Sequence, residues 1–78
     1  MKWFLVIIEN EEKDVHWQFA TRRVYDINTF LMNFVHLAHS DLNISEFTIF
    51  KMIEEFYCKP EVTCFKNGTK ITIKEIER

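Results

Sequence analysis

Apolar and polar positions divide the chain into six segments. The first is the run WFLVII, Trp3 to Ile8, closed by Glu9, Asn10, Glu11 and Glu12. It is strand-length and rich in β-branched and aromatic side chains, so residues 2–9 are predicted as a strand. The run is apolar on both faces, so this strand is expected in a central position of its sheet or with its second face covered. The next segment, VHWQFATRRV, alternates with period two. Val15, Trp17, Phe19 and Thr21 fall on one face, and His16, Gln18, Ala20 and Arg22 on the other. That is the pattern of a half-buried strand, and the short NEEKD before it predicts an antiparallel hairpin. A two-residue turn at Glu11-Glu12 would set Ile8 against Val15, Val6 against Trp17 and Phe4 against Phe19. A three-residue loop would set Ile7 against Val15 and Leu5 against Trp17. The pattern leaves both registers open, because the first strand is apolar on both sides.

Helical periodicity follows. Ile27, Phe30, Leu31, Phe34 and Leu37 recur at three- and four-residue steps and share one face. Asp26 is the expected N-cap, its carboxylate accepting from a free backbone N–H, and the helix is expected over 27–39. After the break SDLN, either Asn43 with Glu46 in capping-box spacing or Ser45 can start a second helix. That helix carries Phe47, Ile49, Phe50, Met52, Ile53, Phe56 and Tyr57, an apolar stripe wider than one sheet contact needs. Lys59-Pro60 ends it, because the residue before proline disfavours the α region. The last segment, EVTCFKNGTKITIKE, centres on Asn67-Gly68, which suits a type I′ turn. A two-residue loop pairs Cys64 with Ile71 and Val62 with Ile73 on one face. On the other it pairs Thr63 with Thr72, Phe65 with Lys70 and Glu61 with Lys74, which are favourable cross-strand neighbours. Asn67-Gly68-Thr69 also matches a glycosylation acceptor, but the turn reading explains it without secretion. The order ββααββ predicts an α+β fold: two hairpins flanking a helical pair, forming one four-stranded, mostly antiparallel sheet with the helices on one face.

Composition sharpens this picture. With 78 residues the chain is expected to be one domain, 1–78, burying only about 60 % of its unfolded surface. Eight Phe, two Trp and two Tyr raise the apolar area that so short a chain can bury. One Gly and one Pro leave no linker, repeat or low-complexity tract. Six apolar residues are too few for a secretory h-region and far too few for a membrane span, so the expected location is cytoplasmic. A net charge of −2 disfavours a dedicated nucleic-acid binder, which normally carries a basic excess. Cys58 and Cys64 read as two small buried hydrophobes in a reducing compartment, with neither a disulfide scaffold nor zinc spacing around them.

Candidate chemistry is sparse. His36 and His39 lie three apart and could share a metal with Asp41 or Cys58, but no third ligand is fixed by spacing. Cys58 with either histidine lacks anything to form an oxyanion hole. Glu54 and Glu55 point about 100° apart on a helix and cannot make a tight acid pair. The expectation is therefore no enzyme, no cofactor and no metal. Arg22, Arg23 and Lys70 are the residues of an alternative reading, a nucleic-acid-binding regulator. More suggestive is the acidic tip of the first hairpin, Glu9, Glu11, Glu12 and Asp14, beside whichever apolar face of strand 1 is left over. An exposed apolar stripe on a small protein usually marks an interface, and an acidic rim suits a basic partner surface.

The chain is similar in size and composition to the small proteins by which phages inhibit host defence systems. That similarity implies a viral inhibitor of a larger, nucleic-acid-handling enzyme. The resulting expectation is a non-catalytic protein-binding module, acting through Trp3, Leu5 and Ile7 of the sheet face and through Glu9, Glu11, Glu12 and Asp14. A homodimer is expected; a membrane or nucleic-acid partner is not.

Overall fold

The computed structural model describes residues 2–38 and 40–77. Strands β1 (Lys2–Asn10) and β2 (Val15–Thr21) are followed by helix α1 (Val24–Asn33), a π-helical turn (Phe34–Ala38) and a short 3-10 turn (Ser40–Leu42). Helix α2 (Glu46–Phe56) and strands β3 (Glu61–Lys66) and β4 (Thr69–Glu77) complete the chain. The four strands form one antiparallel sheet in the order β2-β1-β4-β3, with the two helices on one face. This is the predicted ββααββ, α+β architecture. β1 is central, as its two-sided apolarity requires, flanked by β2 and β4.

The second hairpin has the predicted register. Asn67 (φ 52°) and Gly68 (φ 80°) both adopt the positive φ of a type I′ turn, and Cys64 faces Ile71, Thr63 faces Thr72 and Glu61 faces Lys74. The first hairpin differs from both expected turns. Asn10 pairs with Val15, Ile8 with Trp17, Val6 with Phe19 and Phe4 with Thr21, so the loop has the four residues Glu11 to Asp14. Relative to the two-residue turn, each β1 residue moves by two positions along β2. A two-residue shift keeps every side chain on its face, so Phe4, Val6 and Ile8 still point at the helices. The cause is Asn10, which is a buried strand residue and not part of the loop. Its Nδ2 donates to Thr69 Oγ1 at 2.8 Å, and its Oδ1 accepts from the Lys13 backbone N–H at 3.0 Å. Asp14, at φ 53°, closes the turn by donating its N–H to the Glu11 carbonyl. Fixing Asn10 in this way ties the tip of one hairpin to the start of β4.

The helices depart from prediction at their ends. α1 starts at Val24, with Arg23 as an N-cap that makes no side-chain cap bond. Asp26 is thus in the first turn, where its carboxylate accepts from the Thr21 hydroxyl and the Arg23 guanidinium. After Asn33 the backbone widens into the π turn, which needs more residues per turn and so rotates the following side chains. Val35 enters the core and Leu37, expected inside, is 80 % exposed. His39 of the expected 27–39 helix lies outside the described residues. α2 is capped by Ser45, the second of the two cap options, whose Oγ accepts from the Thr48 N–H at 3.3 Å. The core lies between sheet and helices, with Val6, Ile8, Ile71 and Ile73 below and Ile27, Leu31, Ile49 and Met52 above. Aromatic contacts frame it: Phe19 stacks on Phe30 at 4.4 Å, Phe30 meets Phe34 at 5.9 Å, and Phe4 and Trp17 meet Phe56 and Phe34 edge-on.

Thr69→Val keeps the side-chain shape but leaves the buried Asn10 amide one acceptor short. It should lower unfolding free energy by about 1–3 kcal/mol, read from the urea midpoint.

Candidate functional site

Strand alternation places Trp3, Leu5, Ile7 and Glu9 on the face of β1 opposite the helices. The two registers fix their neighbours. Ile7 lies between Gln18 of β2 and Thr72 of β4, with Thr63 one strand further; Leu5 lies between Ala20 and Lys74. Trp3 is opposite Ile76, and the Arg22 guanidinium sits 6.0 Å from its ring centroid, within cation–π range. Trp3, Leu5 and Ile7 are therefore half-buried by their flanking strands, although neither helix covers them.

Glu9 continues this line. It is opposite Lys70, and its Oε1 lies 3.9 Å from Nδ1 of exposed His16. Beyond it, Glu11 and Glu12 project from the loop, both exposed. Glu9, Glu11, Glu12, Phe65, Gly68 and Lys70 line a shallow depression of about 450 Å³. Lys13, the one cation of the loop, is drawn off to the Asp41 carbonyl and carboxylate at 3.0 and 3.3 Å. The tip therefore presents carboxylates. Of the seven residues singled out in the sequence, six form one continuous strip, apolar at Trp3–Leu5–Ile7 and acidic at Glu9–Glu11–Glu12. Asp14 does not line the depression; it stands at the head of β2, on the outer edge of the sheet.

Exposed apolar groups occur on this face, at Phe65, and also elsewhere, at Tyr25, at Leu37 and along α2. On α2, Phe47 (70 %), Phe50 (51 %) and Tyr57 (72 %) face outward, while Ile49, Met52 and Phe56 hold the inner face. Lys51 Nζ lies 5.9 Å from the Phe47 ring centroid. The sequence signal for this surface was the over-wide stripe of the second helix. Periodicity shows its width but not which part turns inward.

The other candidates are scattered. His36 Nε2 is 3.8 Å from Glu46 Oε1. The two cysteines are not the buried pair expected: Cys58 is exposed just beyond α2, where the helix has ended, and Cys64, on edge strand β3, is half-buried. Among the described residues no group of three or more His, Cys, Asp or Glu is placed to hold a metal. Glu54 and Glu55 are both exposed. Arg22 lies over Trp3, Arg23 is paired to Asp26 at 3.2 Å, and Lys70 is opposite Glu9. Arg22 and Lys70 thus stand at opposite ends of β1. No helix among the described residues is long and apolar enough to cross a membrane. Comparison with protein-family models, with curated proteins and with solved structures finds no match to this chain.

The double substitution Phe50→Gln with Tyr57→Gln should change unfolding free energy by no more than about 0.5 kcal/mol. Ile49→Ala, on the inner face of the same helix, should cost about 2–5 kcal/mol. Thermal and urea denaturation of the two variants side by side measures the contrast.

Proposed function

We propose that this protein is a small, non-catalytic protein-binding module of inhibitor type. It seats the open face of its sheet on a larger enzyme with a basic surface, of the kind that handles nucleic acid. One observation carries the reading: Trp3, Leu5, Ile7, Glu9, Glu11 and Glu12 lie in line along a face that no helix covers. An apolar centre supplies burial, and a charged end supplies orientation and fast encounter. β1 extends this strip over about 30 Å, long enough to span an interface of ordinary size. The similarity in size and composition to phage anti-defence proteins supports a viral inhibitor acting in the host cytoplasm.

The alternative, a nucleic-acid-binding regulator, draws less support from the geometry. A phosphate track needs cations side by side. Arg22 and Lys70 are separated by about 20 Å of strand, and Arg23 is already paired.

Affinity capture from the host, followed by measurement with the purified partner, tests the proposal. Glu11→Lys with Glu12→Lys should slow association about tenfold at low salt. Ile7→Lys should abolish capture while the circular dichroism spectrum is kept. Unchanged binding by both variants would remove the reading. A low-salt gel shift lost on Arg22→Ala with Arg23→Ala would install the nucleic-acid regulator in its place.

A further inference from the structure

The sheet has two free edges, β2 and β3, and exposed edges are templates for another strand. They differ in sequence. β3 follows Pro60 and has a charge at each end, Glu61 and Lys66. Laid antiparallel on itself about Thr63, it sets Glu61 against Phe65 and Val62 against Cys64, with no opposite charges matched. β2 has seven residues, VHWQFAT, without one Asp, Glu, Lys or Arg. Three of the devices that blunt a natural edge are missing from it: it has no lysine, no proline and no inward charge.

We propose that the protein pairs with a second copy of itself through β2, antiparallel about Gln18, to make one continuous sheet from the four strands of each copy. The inference goes beyond the binding reading above and stands without a foreign partner. Charge complementarity selects both the occupant and the register. With Gln18 on the two-fold axis, all seven residues of β2 are paired. Trp17 faces Phe19 of the other copy on the helix side, once on each side of the axis, an aromatic cross-strand pair of the favourable kind. His16 faces Ala20 and Val15 faces Thr21. Just past the ends of β2, the turn residue Asp14 of one copy and Arg22 of the other, which lies over its own Trp3, come to the same end of the pairing, so opposite charges meet at both ends. The next position would bring Lys13 against Arg23. Each of these is already held by an acid of its own copy, Lys13 by Asp41 and Arg23 by Asp26. Moving the axis to Trp17 or to Phe19 separates Asp14 from Arg22 and shortens the pairing.

The helix side of this edge is apolar as well. Trp17 is on the core face of β2 yet 50 % exposed, because no strand lies outboard of it. Two shallow depressions run beside β2. Trp17, Phe30, Phe34 and Leu37 are among the residues lining one, and Phe19 and Phe30 help line the other. The β2 residues that line them, Trp17 and Phe19, are two apart along the strand, the spacing at which an added strand directs successive side chains to one face. The incoming strand would bring its own Phe19 and Trp17 to these places. The contact is isologous, so it closes at two copies.

Sedimentation velocity on the full chain, from about 1 to 100 µM, gives the test. The expected species has twice the 9.5 kDa chain mass and weakens as salt rises. Gln18 is exposed, so substitution there should leave the fold intact, as circular dichroism would verify. Gln18→Lys and Gln18→Glu each place like charges face to face on the axis, and each should weaken self-association at least about tenfold. An equimolar mixture of the two should recover the double mass, because lysine then faces glutamate. A wild-type chain that stays at single mass at the highest concentration would overturn the proposal. So would open-ended growth, or a Gln18→Lys variant that pairs as tightly as the wild type.

Discussion

The pairing of β1 with β4 is the constraint on which the rest of this structure depends. It joins segments from opposite ends of the described chain, setting Lys2 against Glu77 and Glu9 against Lys70. Each hairpin alone is a two-stranded unit of marginal stability. Joined edge to edge, they become a four-stranded platform on which both helices can bury a face. Val6 and Ile8 against Ile73 and Ile71 form the floor of the core, all essentially inaccessible to water. Both ends of this central ladder are fastened. At one end Lys2 Nζ meets Glu75 Oε1 at 2.8 Å, and the hydrogen bond and charge of that carboxylate raise the lysine pKa. That exposed ion pair adds little energy. At the other end Asn10 bonds Thr69 in a site closed to solvent, where a lost partner is costly.

Much of this was legible in the residue pattern, and the failures have physical causes. Asn67-Gly68 set the register of the second hairpin because a type I′ turn admits few residue pairs and few lengths. The two-sided apolar run of Trp3 to Ile8 placed β1 in the interior. The first turn was not legible because NEEKD is polar throughout. What buries Asn10 is a threonine some sixty positions away, which no local pattern contains. The π turn was hidden for a similar reason. Its phase shift exchanged Leu37 for Val35, two residues that periodicity cannot rank. The start of α1 was misplaced because Asp26 resembles a cap, whereas its carboxylate serves Thr21 and Arg23 from within the first turn.

The candidate site was legible in membership but not in emphasis. Trp3, Leu5 and Ile7 do share the open face with Glu9, and the loop acids do stand at its end. Yet flanking strands half-bury the triplet, and fuller exposure is found at Phe65 beside the acidic tip and at Phe47, Phe50 and Tyr57 on and just past α2. A sheet with helices on one side has one inner surface to offer, and α2 carries more apolar groups than that surface can take. Lys13 shows how a local feature acquires its sign from tertiary structure. By turning to Asp41 it leaves the loop's carboxylates as the charges that face outward.

The position of β4 in the sheet also sets the order of events during synthesis. A chain emerges N-terminus first, at about 5–20 residues per second. Until residues 69–77 are made, β1 can pair only with β2, and its second edge stays bare beside the most apolar run in the sequence. The helices meanwhile have half a platform. Contacts this distant in sequence make folding slow relative to helical proteins of the same size. Until β4 is made, WFLVII therefore has one strand partner and lacks the other. A premature stop anywhere before β4 would release a product with no closed core, fit for aggregation or degradation and not for partial activity.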